Sequence, residues 1–331
     1  MTENFLAELV QHQYGVQVVA EPLLLSQRDE QRIFKLELAG DKALVLRLCD
    51  PRRAYGKVLA DSEALLFLNR AEFAVPRLRL TRSGERIFEW EAGRWAYAYD
   101  FVPGQNVRMD TATLEQTAQL MATLHNLVHR RDEYPLLVSW LADLQPSIAN
   151  VERYVADPQW GKQAQEVAQT LQSLPDLKVL PRGLIHTDIH EGNLLRDPDG
   201  KLWLLDWEDA GLGEMLLDMA VVLGWYCVQP KVSVGTVIGG KPELYDFDEV
   251  RCCAFLDSYQ SVRRLEQVEV ELLGAALKFV MGWYAARDIG WEVNAAGSSG
   301  GEAWSNWAIM RSVTPAWEAT LSQWANKKQV V

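Results

Sequence analysis

Two acid-rich stretches hold most of the side chains in this sequence that could move a proton or hold a metal. The first, His186-Thr187-Asp188-Ile189-His190-Glu191-Gly192-Asn193, places Asp188 five positions before Asn193, between apolar Leu184-Ile185 and Leu194-Leu195. The second, Leu204 to Gly211, delivers Asp206, Glu208 and Asp209 after an apolar run. A carboxylate beside an amide oxygen makes a pair of hard ligands, matched to Mg2+ and poorly matched to zinc. A further carboxylate, free to take the proton of a hydroxyl, completes the parts for phosphoryl transfer. Taken singly, each acid is as readily a cap or a surface residue. The combination is what points to chemistry.

Groups that act together need rigid elements to hold them. Residues 183–197 read as strand, loop and strand, with Asp188 at the loop tip and Asn193 at its exit. Asp199-Gly200 turns the chain back, and a second buried strand delivers Asp206 at its end. The first third of the chain is strand-rich. Residues 22–26, 32–38 and 42–48 read as strands, and 85–91 and 94–102 form a hairpin about Ala92-Gly93. A short helix is expected over 61–73, where apolar residues 64, 65, 67 and 68 share a face. After Pro103-Gly104 the pattern becomes helical, with Asp110 or Thr111 as the cap of the first long helix. The expected fold is α+β, with an antiparallel sheet lobe over residues 1–103 and a larger, mainly helical lobe over 104–331.

Composition narrows the class. The 331 residues are 48 % hydrophobic and 24 % charged, an ordinary globular balance with room for two cores. The net charge of −12 shows no basic stripe, which argues against a nucleic-acid partner. The same surplus of acid would draw a cationic ligand inward, or simply keep the chain in solution. No apolar run is long enough for a membrane span, and the N-terminus lacks the basic start and apolar block of a signal peptide. Cys49, Cys227, Cys252 and Cys253 have no zinc-ligand spacing and read as thiols of a reducing cytoplasm.

The pattern H-x-D-x-x-x-x-N, met by His186, Asp188 and Asn193, resembles the catalytic loop of the protein-kinase-like fold. An aspartate eighteen residues later, Asp206, is similar to that fold's metal aspartate. The wording H-x-D-x-H-x-G-N-L-L, then L-D-W-E-x-A and G-x-x-x-x-D, resembles the aminoglycoside phosphotransferase and choline kinase branch. The likeness covers residues about 20 to 225 and implies a two-lobed kinase-like fold and a phosphotransferase using ATP or GTP with Mg2+. By that resemblance Asp188 accepts or orients the acceptor hydroxyl, His190 approaches the transferred phosphate, and Asn193 and Asp206 hold Mg2+. His186 braces the loop, and Asp218 hydrogen-bonds its backbone. Arg47 replaces the usual phosphate-binding lysine, with Glu63 as its partner; Lys35 and Lys42 are its rivals. The phosphate-covering loop falls at residues 26–32, which contain no glycine, so Ser26 and nearby amides are left to cradle phosphate. The adenine is expected at residues 99–104, on backbone groups of Asp100 and Val102 that an extended hinge leaves unpaired.

The acceptor remains open. Tryptophans gather in the later helices, and residues 283–292 combine Trp283, Trp291 and Asp288. With Glu208 and Asp209 they could box an ammonium group, or the aromatics could simply fill a helical core. Residues 296–302 read as a mobile flap or a plain linker. The leading expectation is a small-molecule O-kinase whose acceptor is an amino alcohol, an aminoglycoside-like molecule or a homoserine-like one. The alternatives are a Ser/Thr protein kinase of the bacterial stress-response type and a binding homologue that has lost its chemistry. Against the protein kinase, only twelve positions separate Asp206 from Asp218, too few for a long peptide-binding segment. Against the binding homologue, the set of His186, Asp188, Asn193 and Asp206 is complete.

Overall fold

The computed structural model describes residues 3–40, 42–127, 140–231, 237–238, 241–294 and 301–326. The chain forms two compact units, and the division does not follow a single cut. The first runs to Val107 and takes in Glu191–Gly211 as well; the second holds most of the chain beyond Arg108.

The first unit opens with α1 (Glu3–Tyr14), followed by β1 (Leu23–Arg28), β2 (Gln31–Leu38), β3 (Lys42–Leu48), α2 (Tyr55–Arg70), β4 (Leu78–Arg79), β5 (Phe88–Glu91), β6 (Arg94–Asp100) and β7 (Gln105–Asn106). The sheet order is β1-β2-β3-β6-β4, with β5 paired to β6, and every pairing is antiparallel. Period-2 alternation gives the two faces different tasks. Leu36, Leu38, Leu44, Leu46, Leu48, Ala96 and Ala98 form a buried face against Leu6 and Val10 of α1. Burying each of those leucines contributes about 1.5–3 kcal/mol. The opposite face carries Arg47 directly across from Tyr97, and Val45 across from Tyr99. The same alternation that fills the core therefore sets Arg47 on the other side of the sheet.

Two elements differ from the sequence reading. Helix α1 was not expected, although Phe5, Leu6, Leu9 and Val10 share a helical face. Helix α2 begins six residues before Asp61, because Ala54 caps it without any side-chain hydrogen bond and so leaves no N-cap signal.

In the second unit α3 (Thr111–Asn126) is capped as expected, Asp110 accepting from the Thr113 amide at 2.8 Å. Then come α4 (Leu144–Glu152), α5 (Gly161–Gln172) and β8 (Arg182–Ile185). The chain passes through β9 (Leu194–Arg196) and β10 (Leu202–Leu204) of the first unit before β11 (Gly211–Glu214) pairs with β8. Gly200, at φ +85°, makes the β9–β10 turn that Asp199-Gly200 predicts. Strand β7 pairs with β9, and Gly104 just before it is needed for closeness, since a Cβ there would lie 2.5 Å from the Arg196 carbonyl. Helix α6 (Met215–Tyr226) is buried over its first ten residues. After two short antiparallel strand pairs within residues 228–247 come helices α7 (Glu249–Gln260), α8 (Gln267–Asn294), α9 (Gly301–Ser312) and α10 (Pro315–Asn326), with α8 packing against α4, α5, α6, α9 and α10. Most of the segment read as a flap, residues 296–300, lies outside the described residues.

Candidate functional site

The catalytic-loop residues up to His190 belong to the second unit, and those from Glu191 to the first. In the second unit β8 ends at Ile185 and the next three residues turn sharply. Thr187 has φ +73°, a left-handed conformation that a β-branched residue adopts only under constraint. That constraint is Asp218 of α6, whose carboxylate accepts the His186 amide at 2.9 Å and the Thr187 amide at 2.7 Å. The Tyr284 hydroxyl of α8 donates to the Thr187 carbonyl at 3.4 Å, so the strained residue is held from both sides. Asp188 comes next with its side chain 47 % exposed, its amide donating to His186 Nδ1 at 3.3 Å and its carboxylate 3.3 Å from His190 Nε2. Of the three, the group that meets solvent is the carboxylate.

Asp218 rests on a buried network. His125 Nε2 lies 3.3 Å from Asp218, and His125 Nδ1 lies 2.7 Å from the Tyr259 hydroxyl. Arg263 donates to that hydroxyl at 3.0 Å and holds Glu269 through two contacts of 3.0 Å. Burial pushes His125 below the ordinary histidine range and Tyr259 well above the ordinary phenol range. Burial alone would raise Asp218, but the hydrogen bonds from His125 and the His186 amide outweigh it and keep the carboxylate ionised. A neutral His125 then donates to Asp218 and accepts from Tyr259, which satisfies the whole chain of donors.

In the first unit Arg47, only 3 % exposed, donates to Asp206 at 2.8 Å and makes an ion pair with Glu208. Arg53 meets Asp61 at 2.5 Å, the Glu208 carboxylate at 3.2 Å and the Glu208 carbonyl at 2.7 Å. Lys57 lies 3.7 Å from Asp61 and 3.9 Å from Asp209. Burial raises Asp61 to about 7 and also raises Glu208, while the nearby cations pull both back. Burial opposes the charge of Arg47, but Tyr97, Asp206 and Glu208 more than restore it. Asp206 has φ +60° and a partly exposed side chain. The Leu205 amide donates to the Asn193 carbonyl at 2.8 Å, so the backbones carrying Asn193 and Asp206 are tied together. Asn106 of β7 donates to the carbonyls of Glu191 and Gly192 at 3.2 and 3.1 Å and steadies that segment. Among the described residues no cluster of three or more histidine, cysteine or carboxylate side chains forms a metal cage.

Several expectations change. Arg47 does not pair with Glu63, which is met instead by Arg86 at 2.6 Å. Asp61 and Glu63 lie two residues apart, about 200° around the helix, and the buried face takes Asp61. Ser26 is inside β1 opposite Ile33, and the turn is only Asp29-Glu30, held by Arg52 at 2.5 Å and Arg94 at 2.8 Å. The Asp100 amide is already taken by the Arg77 carbonyl at 2.8 Å, and its carboxylate pairs with Arg79. The Val102 amide has no backbone partner among the described residues. The acidic box does not form as expected: Glu208 and Asp209 face Arg47, Arg53 and Lys57, and Trp291 is 69 % exposed. Asp288 is buried, accepting from Arg287 at 2.8 Å and Asn306 at 2.9 Å. Sequence reasoning missed Arg53, Asp61, His125, Tyr259 and Asn106. Arg52-Arg53, a few residues beyond β3, was the one visible hint.

Most of the chain is similar to known proteins. A profile for a phosphotransferase enzyme family matches residues 24–251. A homoserine kinase of Methylobacterium nodulans is 26 % identical over 243 residues, covering 69 % of this chain and 70 % of that protein. A homoserine kinase of Methylobacillus flagellatus is 32 % identical over 90 residues, 27 % of this chain, and the match spans about a quarter of that relative's length (24 %). Among solved structures, an amicoumacin kinase in complex with AMP-PNP, Ca2+ and Ami superposes with a TM-score of 0.64 at 17 % identity, covering 95 % of this chain and 96 % of the other. A microcompartment-associated aminopropanol kinase gives 0.61 at 16 % identity, covering 98 % and 97 %. The fold is the two-lobed α+β fold of these kinases, with the antiparallel sheet in the N-terminal part.

Proposed function

The chain belongs to the phosphotransferase enzyme family; on that premise we propose that it is a small-molecule O-kinase that moves the γ-phosphoryl group of ATP to the hydroxyl of a small acceptor of homoserine or amino-alcohol size. The observation that carries this reading is Asp188, an exposed carboxylate on a loop whose strained neighbour is locked by Asp218 and Tyr284.

Asp188 takes the acceptor's hydroxyl proton as that oxygen bonds to the γ-phosphorus. The bond from phosphorus to the bridging oxygen breaks, and ADP leaves with its electrons. His190, 3.3 Å from Asp188, steadies the carboxylate and contacts the moving phosphoryl group. Asn193 and Asp206 are hard oxygen donors of the number and type that Mg2+ accepts alongside phosphate and water. When bound, that ion offsets the charge of the phosphate oxygens. Arg47, fixed by Asp206 and Glu208, offers a buried cation to the same phosphates, and the Val102 amide remains for the adenine. The names of the two homoserine kinases and of the aminopropanol kinase support an acceptor that is a short alcohol bearing an amine.

The test is ADP release with ATP and Mg2+ across L-homoserine, 3-aminopropan-1-ol, choline, spectinomycin and a generic protein substrate. A short hydroxy amine or hydroxy amino acid should give the highest kcat/KM. Phosphate appearing only on protein, or no acceptor-dependent ADP release at all, would overturn the reading.

A further inference from the structure

Helix α8 places Tyr284, Arg287 and Asp288 on one face through i, i+3 and i+4 spacing. The Arg287 guanidinium lies over the Tyr284 ring at 4.7 Å and over the Trp283 ring at 5.6 Å. Its Nε donates to Asp288 at 2.8 Å. The other Asp288 oxygen accepts from Asn306 at 2.9 Å, and Asn306 in turn accepts from Trp225 Nε1 at 3.3 Å. Asp288 is thus buried and used up, with 6 % of its side chain exposed against 51 % for Arg287.

This arrangement is the reverse of an ammonium box. The Trp283 and Tyr284 rings carry a guanidinium where a cationic acceptor would need a free face, and the carboxylate beside them is buried. What the surface offers instead is the Nη1/Nη2 edge of Arg287, with no hydrogen-bond partner among the described residues. With Nε fixed by Asp288 and the guanidinium carbon held over the Tyr284 ring, that edge is oriented in advance for a planar, two-oxygen anion.

The Tyr284 ring joins this edge to the chemistry. Its hydroxyl reaches the Thr187 carbonyl at 3.4 Å, one residue before Asp188. Burial raises the Tyr284 phenol well above its usual range, the nearby Asp188 charge raises it further and Arg287 opposes them, so the hydroxyl stays protonated and keeps donating. Asp188 and Arg287 are therefore both neighbours of one phenol side chain, within a single unit.

We propose that Arg287 is a specificity-determining residue that binds a carboxylate of the acceptor, so that the preferred substrate is a short hydroxy acid or hydroxy amino acid rather than a bare amino alcohol. This rests on the assignment of Asp188 as the proton acceptor of a small-molecule kinase and narrows its substrate class. The bidentate pair supplies binding energy and leaves the bond-making step to Asp188, so its loss is felt mainly in KM.

The experiment compares L-homoserine, 4-hydroxybutanoate and 3-aminopropan-1-ol, which share the reacting hydroxyl but differ in carboxylate and amine. Phosphoryl transfer is measured for the wild type, Arg287→Ala and Arg287→Lys, and acceptor binding is followed separately by calorimetry with AMP-PNP and Mg2+ present. The wild type should prefer the two carboxylates over the amino alcohol. Arg287→Ala should raise KM for the carboxylates about 10–100-fold, with kcat changed little and 3-aminopropan-1-ol unaffected. Arg287→Lys should recover part of the loss. Carboxylate binding that depends on Arg287 without turnover would sustain this proposal and sink the proposed reaction. Turnover of the amino alcohol equal to that of the carboxylates, an equal loss for all three acceptors in Arg287→Ala, or no binding of any of them, would overturn the proposal.

Discussion

In the first unit, Arg47, Arg53 and Lys57 share Asp61, Asp206, Glu208 and Asp209 in a cluster that is partly open and incompletely bonded. Arg53 Nε and Asp61 Oδ1 are buried without a hydrogen bond. In the second unit, Arg263, Glu269, Tyr259, His125 and Asp218 form a chain in which no buried side-chain atom lacks a partner. Such a satisfied network rigidifies what it touches, here the backbone of His186 and Thr187. A cluster with spare donors and raised carboxyls is suited to change partners when a polyanion arrives. On the proposed reading the two regions divide the labour: one positions the loop, the other receives the phosphates.

The contrast breaks most severely at Asp218. Asp218→Ala strands two buried amides and His125, and should cost about 3–5 kcal/mol of stability in denaturant unfolding. A loss below about 1 kcal/mol would mean that the network does not position the loop.

Asp61 is the next lever. Its carboxyl is raised to about 7 in the folded protein, so the folded state binds the extra proton between its unfolded value and 7. The stabilisation from that proton is full below the unfolded pKa and fades as pH rises toward 7. Asp61→Asn should remove a fall in stability of up to about 4 kcal/mol between pH 4 and 7.5, seen as a flatter profile. An unchanged profile would place Asp61 with the satisfied groups.

Arg47→Lys keeps the charge but cannot bridge Asp206 and Glu208 with one planar fork, so ATP affinity should fall about tenfold, read by titration with Mg2+ present. The smallest effect belongs to Glu63→Gln. Its pair with Arg86 is partly exposed, so stability and nucleotide affinity should change by no more than about 0.5 kcal/mol. A large loss of nucleotide binding would restore Glu63 as the partner of Arg47.

The sequence was most readable where local chemistry decides structure. Asp110 capping α3, Asp199-Gly200 turning β9 onto β10, and alternation along β2, β3 and β6 are all short-range effects. So was the spacing of Asp188, Asn193 and Asp206, because one loop and one hairpin carry all three. Partners brought together by the fold were not readable. Arg47 finds Asp206 and Glu208 at sequence separations of 159 and 161, and His125 finds Tyr259 at 134. Glu63 was expected from its place on a helix near β3, yet helical phase gave the buried face to Asp61. Arg287 lay within the stretch singled out for its tryptophans, but which aromatic faces it covers depends on side-chain packing along α8.

Single-turnover phosphoryl transfer by Asp188→Asn, measured beside its affinity for AMP-PNP and Mg2+, tests the proton-accepting role most directly. Nucleotide affinity should stay within about twofold of the wild type while transfer to the acceptor falls by about 10²–10⁴-fold. Transfer at the wild-type rate would contradict the role given to Asp188.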